Sequence, residues 1–148
     1  MTPTPDRNRP GTTAVPPQFR LADLSVDRAA LFGLTVEYMT WVTQGIADYE
    51  QAAEAPSVAS VERYVAEGLE QMCSKRPPEG AFYLVEWNDA LAGMCGLRQI
   101  APGVAEFKRI YVRPSHRGLR LGEAMLQRLI DDAVAFGCEK AVLDSAPF

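Results

Sequence analysis

The sequence predicts a mixed α/β domain, an α+β sheet with helices on its faces. Two observations carry this reading. Apolar residues alternate at period two in several short runs and step by three and four in longer ones. The last strand–helix–strand run has the length of a parallel crossover. A chain of 148 residues suits one domain with a core of its own.

Taken in order, residues 1–17 (MTPTPDRNRPGTTAVPP) are crowded with Pro, Thr, Gly and Arg. Such a stretch buries too little apolar surface to offset its ordering entropy, so it reads as a disordered tail, with 18–148 as the domain. Phe19 to Leu24 alternates and reads as a first strand. Ser25 or Asp27 then caps a helix to about Gly45, with Phe32, Val36 and Met39 at helical spacing and Leu31, Tyr38 and Trp41 beside them. After Ala55-Pro56, Ser57 is a good N-cap for a second helix, whose stripe is Val58, Val61, Val65, Leu69 and Met72. Lys75-Arg76-Pro77-Pro78 stops it.

Ala81 to Trp87 is aromatic and β-branched, a strand; Asn88-Asp89 reads as a tight hairpin turn, and Leu91 to Ile100 returns. Gly93 and Gly96 mark a bulge or a close backbone approach in that strand. Pro102-Gly103 turns the chain into Val104–Val112, the longest strand signal. Period two puts Glu106, Lys108 and Ile110 on one face of it. In the third helix Leu121, Met125, Leu129 and Ala133 step by four, and Leu126, Ile130 and Val134 widen the stripe. Gly137 ends it, and KAVLDSA starts one more strand.

Composition narrows the function classes. A net charge of -4 and a pI near 5.0 argue against nucleic acid as partner. Cys73, Cys95 and Cys138 form no CxxC pair, which points to three buried thiols in a reducing cytoplasm rather than disulfides or zinc. His116 is the only histidine, so no histidine-rich metal site is expected. No apolar run approaches the roughly 20 residues that span a bilayer, and no membrane association is expected.

The positive charge that matters is local: Arg113, Arg117 and Arg120 surround one strand-to-helix loop. A helix N-terminus offers unpartnered amides and a partial positive charge, Gly118 lets the chain bend, and Gly122 lets a bulky group lie against the backbone. A phosphate ester or pyrophosphate fits best; the spacing is neither a Walker loop nor a dinucleotide fingerprint. Taken alone, the residues also allow a plain glycine turn with solvated arginines.

The run Arg117-Gly118-Leu119-Arg120-Leu121-Gly122, preceded by Ile110-Tyr111-Val112 and Pro114, resembles the acyl-CoA loop of the GNAT family of N-acetyltransferases, Gln/Arg-x-x-Gly-x-Gly/Ala. The order of elements from Phe19 onward is similar too. Arg120 replaces the central glycine of that pattern, and we expect it to be already helical, with Gly118 absorbing the turn.

The resemblance implies a GNAT-like acyl-CoA N-acyltransferase fold with acetyl-CoA as co-substrate and no metal. The coenzyme would lie where the fourth and fifth strands splay apart. Backbone groups of Ile110, Tyr111 and Val112 would bond the pantetheine arm and thioester oxygen, and the amides from Arg117 through Leu119 and Leu121 to Gly122 would hold the pyrophosphate. The implied reaction is direct acetyl transfer to an amine of a small molecule or protein, with Glu106 as base. Glu106 could equally be a cross-strand partner of Lys108 or Arg98. Tyr111 is expected to pack against the sheet, His116 to sit at the anion end, and Trp41, Tyr38 and Tyr49 to border an acceptor pocket, with core packing the stronger expectation for Trp41.

Relatives continue past the fifth strand into another helix and two strands, a part that usually carries an Asn or a Tyr acting as general acid. This sequence stops at LDSAPF, so the expected fold lacks the last helix and strands through C-terminal truncation, leaving a strand edge and an apolar patch bare. A partner chain, as in a homodimer, is the other way to complete the sheet. The alternative to an impaired transferase is a non-catalytic acyl-CoA-binding or interaction module.

Overall fold

The computed structural model describes residues 15–143. Most of the expected tail and the end of the last expected strand, Asp144 to Ala146, lie outside the described residues. The elements are β1 (Gln18–Leu21), α1 (Leu24–Tyr49), α2 (Val58–Met72), β2 (Gly80–Trp87), β3 (Ala90–Ala101), β4 (Val104–Val112), a 3-10 turn at Pro114–His116, α3 (Leu121–Ala135) and β5 (Lys140–Leu143). They form the mixed α/β fold the sequence predicts. The sheet order is β1-β2-β3-β4-β5, antiparallel except for the parallel β4–β5 pair.

Alternation sorts the sheet into two faces. Phe82, Leu84, Met94 and Tyr111 pack with Leu31 and Leu34 of α1 and Val61, Val65 and Leu69 of α2. Ala81, Tyr83, Val85, Cys95 and Phe107 pack with Met125, Leu129 and Ala133 of α3. The α2 stripe matches the sequence reading apart from exposed Val58, and the α3 stripe is buried only along Leu121, Met125, Leu129 and Ala133. Leu126, Ile130 and Val134 of α3 are exposed, Val134 by 70%. Among the described residues β5 pairs only with β4.

Helix α1 differs from expectation in three ways. Asp23 is its cap, accepting the Ser25 N–H at 2.9 Å. Asp27, 5% exposed, accepts two bonds from Arg20 at 2.8 Å, tying α1 to β1, and a third from the Asp23 N–H at 2.9 Å. The helix passes through Gly45 to Tyr49, and it buries Leu31, Leu34 and Thr35 while Phe32, Val36 and Met39 only border the core. The reason is that α1 is apolar on more than one side, so spacing does not choose a face. Of the thiols only Cys95 is buried; Cys73 and Cys138 are half-buried.

The Asn88-Asp89 turn has both residues at positive φ, 49° and 62°, as a two-residue hairpin turn needs. The main irregularity is in β4. Met94 faces Tyr111 and Gly96 faces Lys108, so Cys95 stands opposite two residues, Arg109 and Ile110. This is a β-bulge, with Arg109 at φ 52°. It resets the alternation: Ile110 packs with Ala105 and Phe107 on the α3 face, not with Glu106 and Lys108 as period two predicts.

Close approach explains Gly93, where an added Cβ would sit 2.1 Å from the Tyr111 carbonyl oxygen. Gly96 backs the Phe82 ring, 2.5 Å from such a Cβ. Before α3, Gly118 has φ 85° and Arg120 φ 60° and ψ 26°. Arg120 is therefore left-handed rather than helical, correcting the expectation. The turn needs two left-handed residues, and Gly118 supplies only one.

Gly93→Ala is expected to destabilise the fold by about 3 kcal/mol through overpacking against backbone that cannot yield, read from the urea midpoint. Arg120→Gly is expected to raise stability by about 0.5–1 kcal/mol, since left-handed strain of about 1–3 kcal/mol exceeds the entropy added to the unfolded chain. Arg120→Val should lower it, by thermal unfolding.

Candidate functional site

A cavity of about 540 Å³ opens where the end of β4 meets the start of α3. Every sequence-predicted binding residue except Leu119 lines it: Ile110, Tyr111, Val112, Arg117, Gly118, Arg120, Leu121 and Gly122. Trp41 of α1 closes one side. On the strand side, the β4–β5 register ends at Phe107 and Leu143, so Ile110 to Val112 lie past the last described β5 partner.

The helix side has the donors that an anion could use. Asp23 caps α1 and Ser57 caps α2, but Arg120 gives α3 no side-chain cap. The Ala124 N–H makes the first helical bond, to the Arg120 oxygen at 3.1 Å, leaving the amides of Leu121, Gly122 and Glu123 ahead of it. These point donors and partial positive charge out of the helix end. At Gly122 an added Cβ would come no closer than 4.0 Å to Val112 Cγ2, so packing within the chain does not require glycine there. What the glycine keeps open is the space in front of the helix.

The arginines divide their work differently from the sequence reading. Arg117 folds back: its guanidinium lies 5.4 Å over the Trp41 ring and 5.8 Å over Tyr111, and its Nε donates to the Val112 oxygen at 3.1 Å. Arg113 pairs with Glu37 at 3.1 Å and donates to the Leu91 oxygen at 3.3 Å. Arg120, like Arg117, is exposed at the loop.

Tyr111 is buried, as expected, and its hydroxyl donates to Glu37 at 3.2 Å. Burial, and then the Glu37 charge, push its pKa up, so the phenol stays protonated. Trp41 departs from the core role expected of it: it is 47% exposed and stacks on Tyr111, rings 6.1 Å apart. The sequence reading missed Glu37, although it lies one turn before Trp41. His116 bonds Ser115 at 2.9 Å and meets the edge of Trp87, outside the cavity lining. Tyr38 packs near Tyr111, while Tyr49 is exposed at the end of α1.

A second cavity, about 430 Å³, lies on the α2 side of the sheet between α2 and the β3–β4 pair. Arg98, Lys108 and Arg109 line it with Tyr64, Gly68 and Phe82. The bulge lies between the two spaces, since Arg109 borders one and Ile110 the other. Glu106 stands opposite Arg98 in register and pairs with both Arg98 and Lys108 at 3.2 Å. Burial pushes its carboxyl up, but hydrogen bonds and charge from Lys108 and Arg98 outweigh that and hold it below its usual range. Among the described residues, no group of His, Cys, Asp and Glu could hold a metal ion.

Known proteins share this fold. The chain superposes on a PaiA N-acetyltransferase from Thermoplasma acidophilum in complex with coenzyme A, with a TM-score of 0.67 at 19% identity, covering 87% of this chain and 79% of that one. An acetyltransferase with acetyl-CoA from Clostridium acetobutylicum matches with a TM-score of 0.57 at 16% identity, covering 88% and 82%. In sequence, an uncharacterised N-acetyltransferase from Schizosaccharomyces pombe is 43% identical over 44 residues. That match spans 30% of this chain and only 27% of the relative. The model of the acetyltransferase (GNAT) family matches residues 46–147, well over half of the sequence. On that match the chain belongs to the GNAT family of acetyltransferases.

Proposed function

We propose that this chain binds acetyl-CoA in the β4–α3 cavity and transfers its acetyl group directly to an amine. The observation that carries the reading is the uncapped N-terminus of α3, opened by Gly118 and Arg120 beside strand backbone past its last described β5 partner. The amides of Leu121, Gly122 and Glu123, with the Arg120 side chain, hold the diphosphate. Backbone groups of Ile110, Tyr111 and Val112 take the pantetheine arm, and a strand amide stabilises the oxyanion that develops on the thioester oxygen. The α2-side cavity holds the acceptor, with the bulge between amine and thioester. Coenzyme A and acetyl-CoA in the two structural relatives support the choice of co-substrate.

The amine nitrogen attacks the thioester carbonyl, the C–S bond breaks, and the amine's proton leaves while the thiolate gains one from water. Glu106 is the proposed acceptor of the amine proton. Its two cationic partners keep it ionised and make it a weak base, so solvent shares the task. The three free thiols fit the reducing cytoplasm as the proposed location.

Calorimetric titration of the full chain with acetyl-CoA is expected to show one site, and Gly118→Val to weaken it at least about tenfold, because a β-branched residue resists φ 85°. No heat of binding, with thiol release absent on every amine tried, overturns the reading; binding without turnover supports a coenzyme-binding module instead. Glu106→Gln is expected to lower turnover by less than about tenfold, below the usual 10²–10⁴ of a full general base; a larger loss would assign it that role. Because folding lowers the Glu106 pKa, its stabilisation is present above the unfolded value of about 4.3 and is lost as pH falls through the folded one. The stability gap between wild type and Glu106→Gln in urea should therefore close on acidification.

A further inference from the structure

The α2-side cavity carries a charge that the described chain does not neutralise. Arg98 and Lys108 share Glu106, but among the described residues no carboxylate pairs with Arg109. Arg109 is a half-buried residue at the bulge, and its guanidinium donates to Met39 Sδ at 3.5 Å. A thioether is a weak acceptor for a group with five donors, and a cation drawn out of water calls for a partner. Glu67 also lines the space but is exposed at its rim. Three cations against Glu67 and the shared Glu106 leave the cavity net positive, in a chain of net charge -4.

That sign selects the acceptor. A polyamine would bring like charge to Arg109, whereas a carboxylate or phosphate would supply the missing partner, bidentate if the fork is free. The positive field also disfavours an ammonium ion in the cavity, so it lowers the pKa of a bound amine and eases loss of its proton. This matters because the one carboxylate on these cations is a weakened base.

We propose that the cavity between α2 and the β3–β4 pair takes a primary amine bearing an anionic group, carboxylate or phosphate, and that Arg109 binds that anion. The proposal rests on the acetyl-transfer reading for the fate of the amine, but its anion site can be tested without turnover. Thiol release at saturating acetyl-CoA is compared for β-alanine and O-phosphoethanolamine, for neutral-tailed n-propylamine and ethanolamine, and for putrescine. The expected kcat/KM for one or both anionic amines exceeds that of the neutral ones at least tenfold, and β-alanine against O-phosphoethanolamine separates carboxylate from phosphate. Arg109→Gln should collapse the anionic-to-neutral ratio at least tenfold through KM, and Arg109→Lys should keep part of it. Equal or better use of n-propylamine or putrescine overturns the proposal, as does a ratio that Arg109→Gln leaves in place.

In parallel, chemical-shift mapping of the wild-type chain with O-phosphoethanolamine and β-alanine is expected to move the amides of Gly96, Arg109 and Gly68, with inorganic phosphate competing. If neither probe shifts them, the anion site is wrong, even where the chain turns over other amines. If the shifts appear and Arg109→Gln removes them, yet acetyl-CoA neither binds nor releases thiol, the anion site stands and the transferase reading falls.

Discussion

The structure turns on one extra residue in β4. Cys95 faces both Arg109 and Ile110, and the alternation of the strand shifts by one from that point. Before the bulge, Ala105 and Phe107 face α3; after it, Ile110 does so and Tyr111 faces α1 and α2. Without it Tyr111 would leave Trp41 and Glu37, and Arg109 would not border the α2-side cavity. The left-handed backbone of Arg109 costs about 1–3 kcal/mol and persists because the β3 pairings on both sides fix it. Gly93 belongs to the same constraint, since a side chain there would push the β4 backbone away at Tyr111.

Around that bulge the chain divides its electrostatics between two sides of one sheet. At the start of α3 it withholds a side-chain cap that it gives to both other helices, leaving backbone donors without one. Arg117, laid over Trp41 and Tyr111, stiffens the wall of that cavity, and Arg113 with Glu37 anchors the strand end to α1. On the other side, Glu106 is tied to two cations and Arg109 to none of the described carboxylates. In the proposed reading one face takes diphosphate through backbone dipoles and the other an anion through a side-chain charge.

Much of this was legible in the sequence where one physical cause acts alone. The α2 and α3 stripes, the Asn88-Asp89 turn and the strands from β2 to β4 follow from period and turn chemistry. The glycine loop was legible as a turn into α3, and Gly118 takes the positive φ of 85° that such a turn asks of glycine. What escaped was set by tertiary context. Arginine does not announce a positive φ, so neither Arg109 nor Arg120 looks like a bulge or a turn; their conformations are imposed by β3 and by the entry to α3. The bulge then misassigned Ile110 by one face. Trp41 reads as core because it is large and apolar, yet α1 is apolar on several sides and only packing decides which side is buried.

Amide hydrogen exchange across 104–126, with and without acetyl-CoA, tests the account most directly. It predicts slower exchange on binding at Ile110, Tyr111 and Val112 and at Leu121, Gly122 and Glu123, with the amides of α2 and β2 unchanged. Unaltered exchange at both segments while acetyl-CoA is bound, or protection confined to other elements, would contradict it.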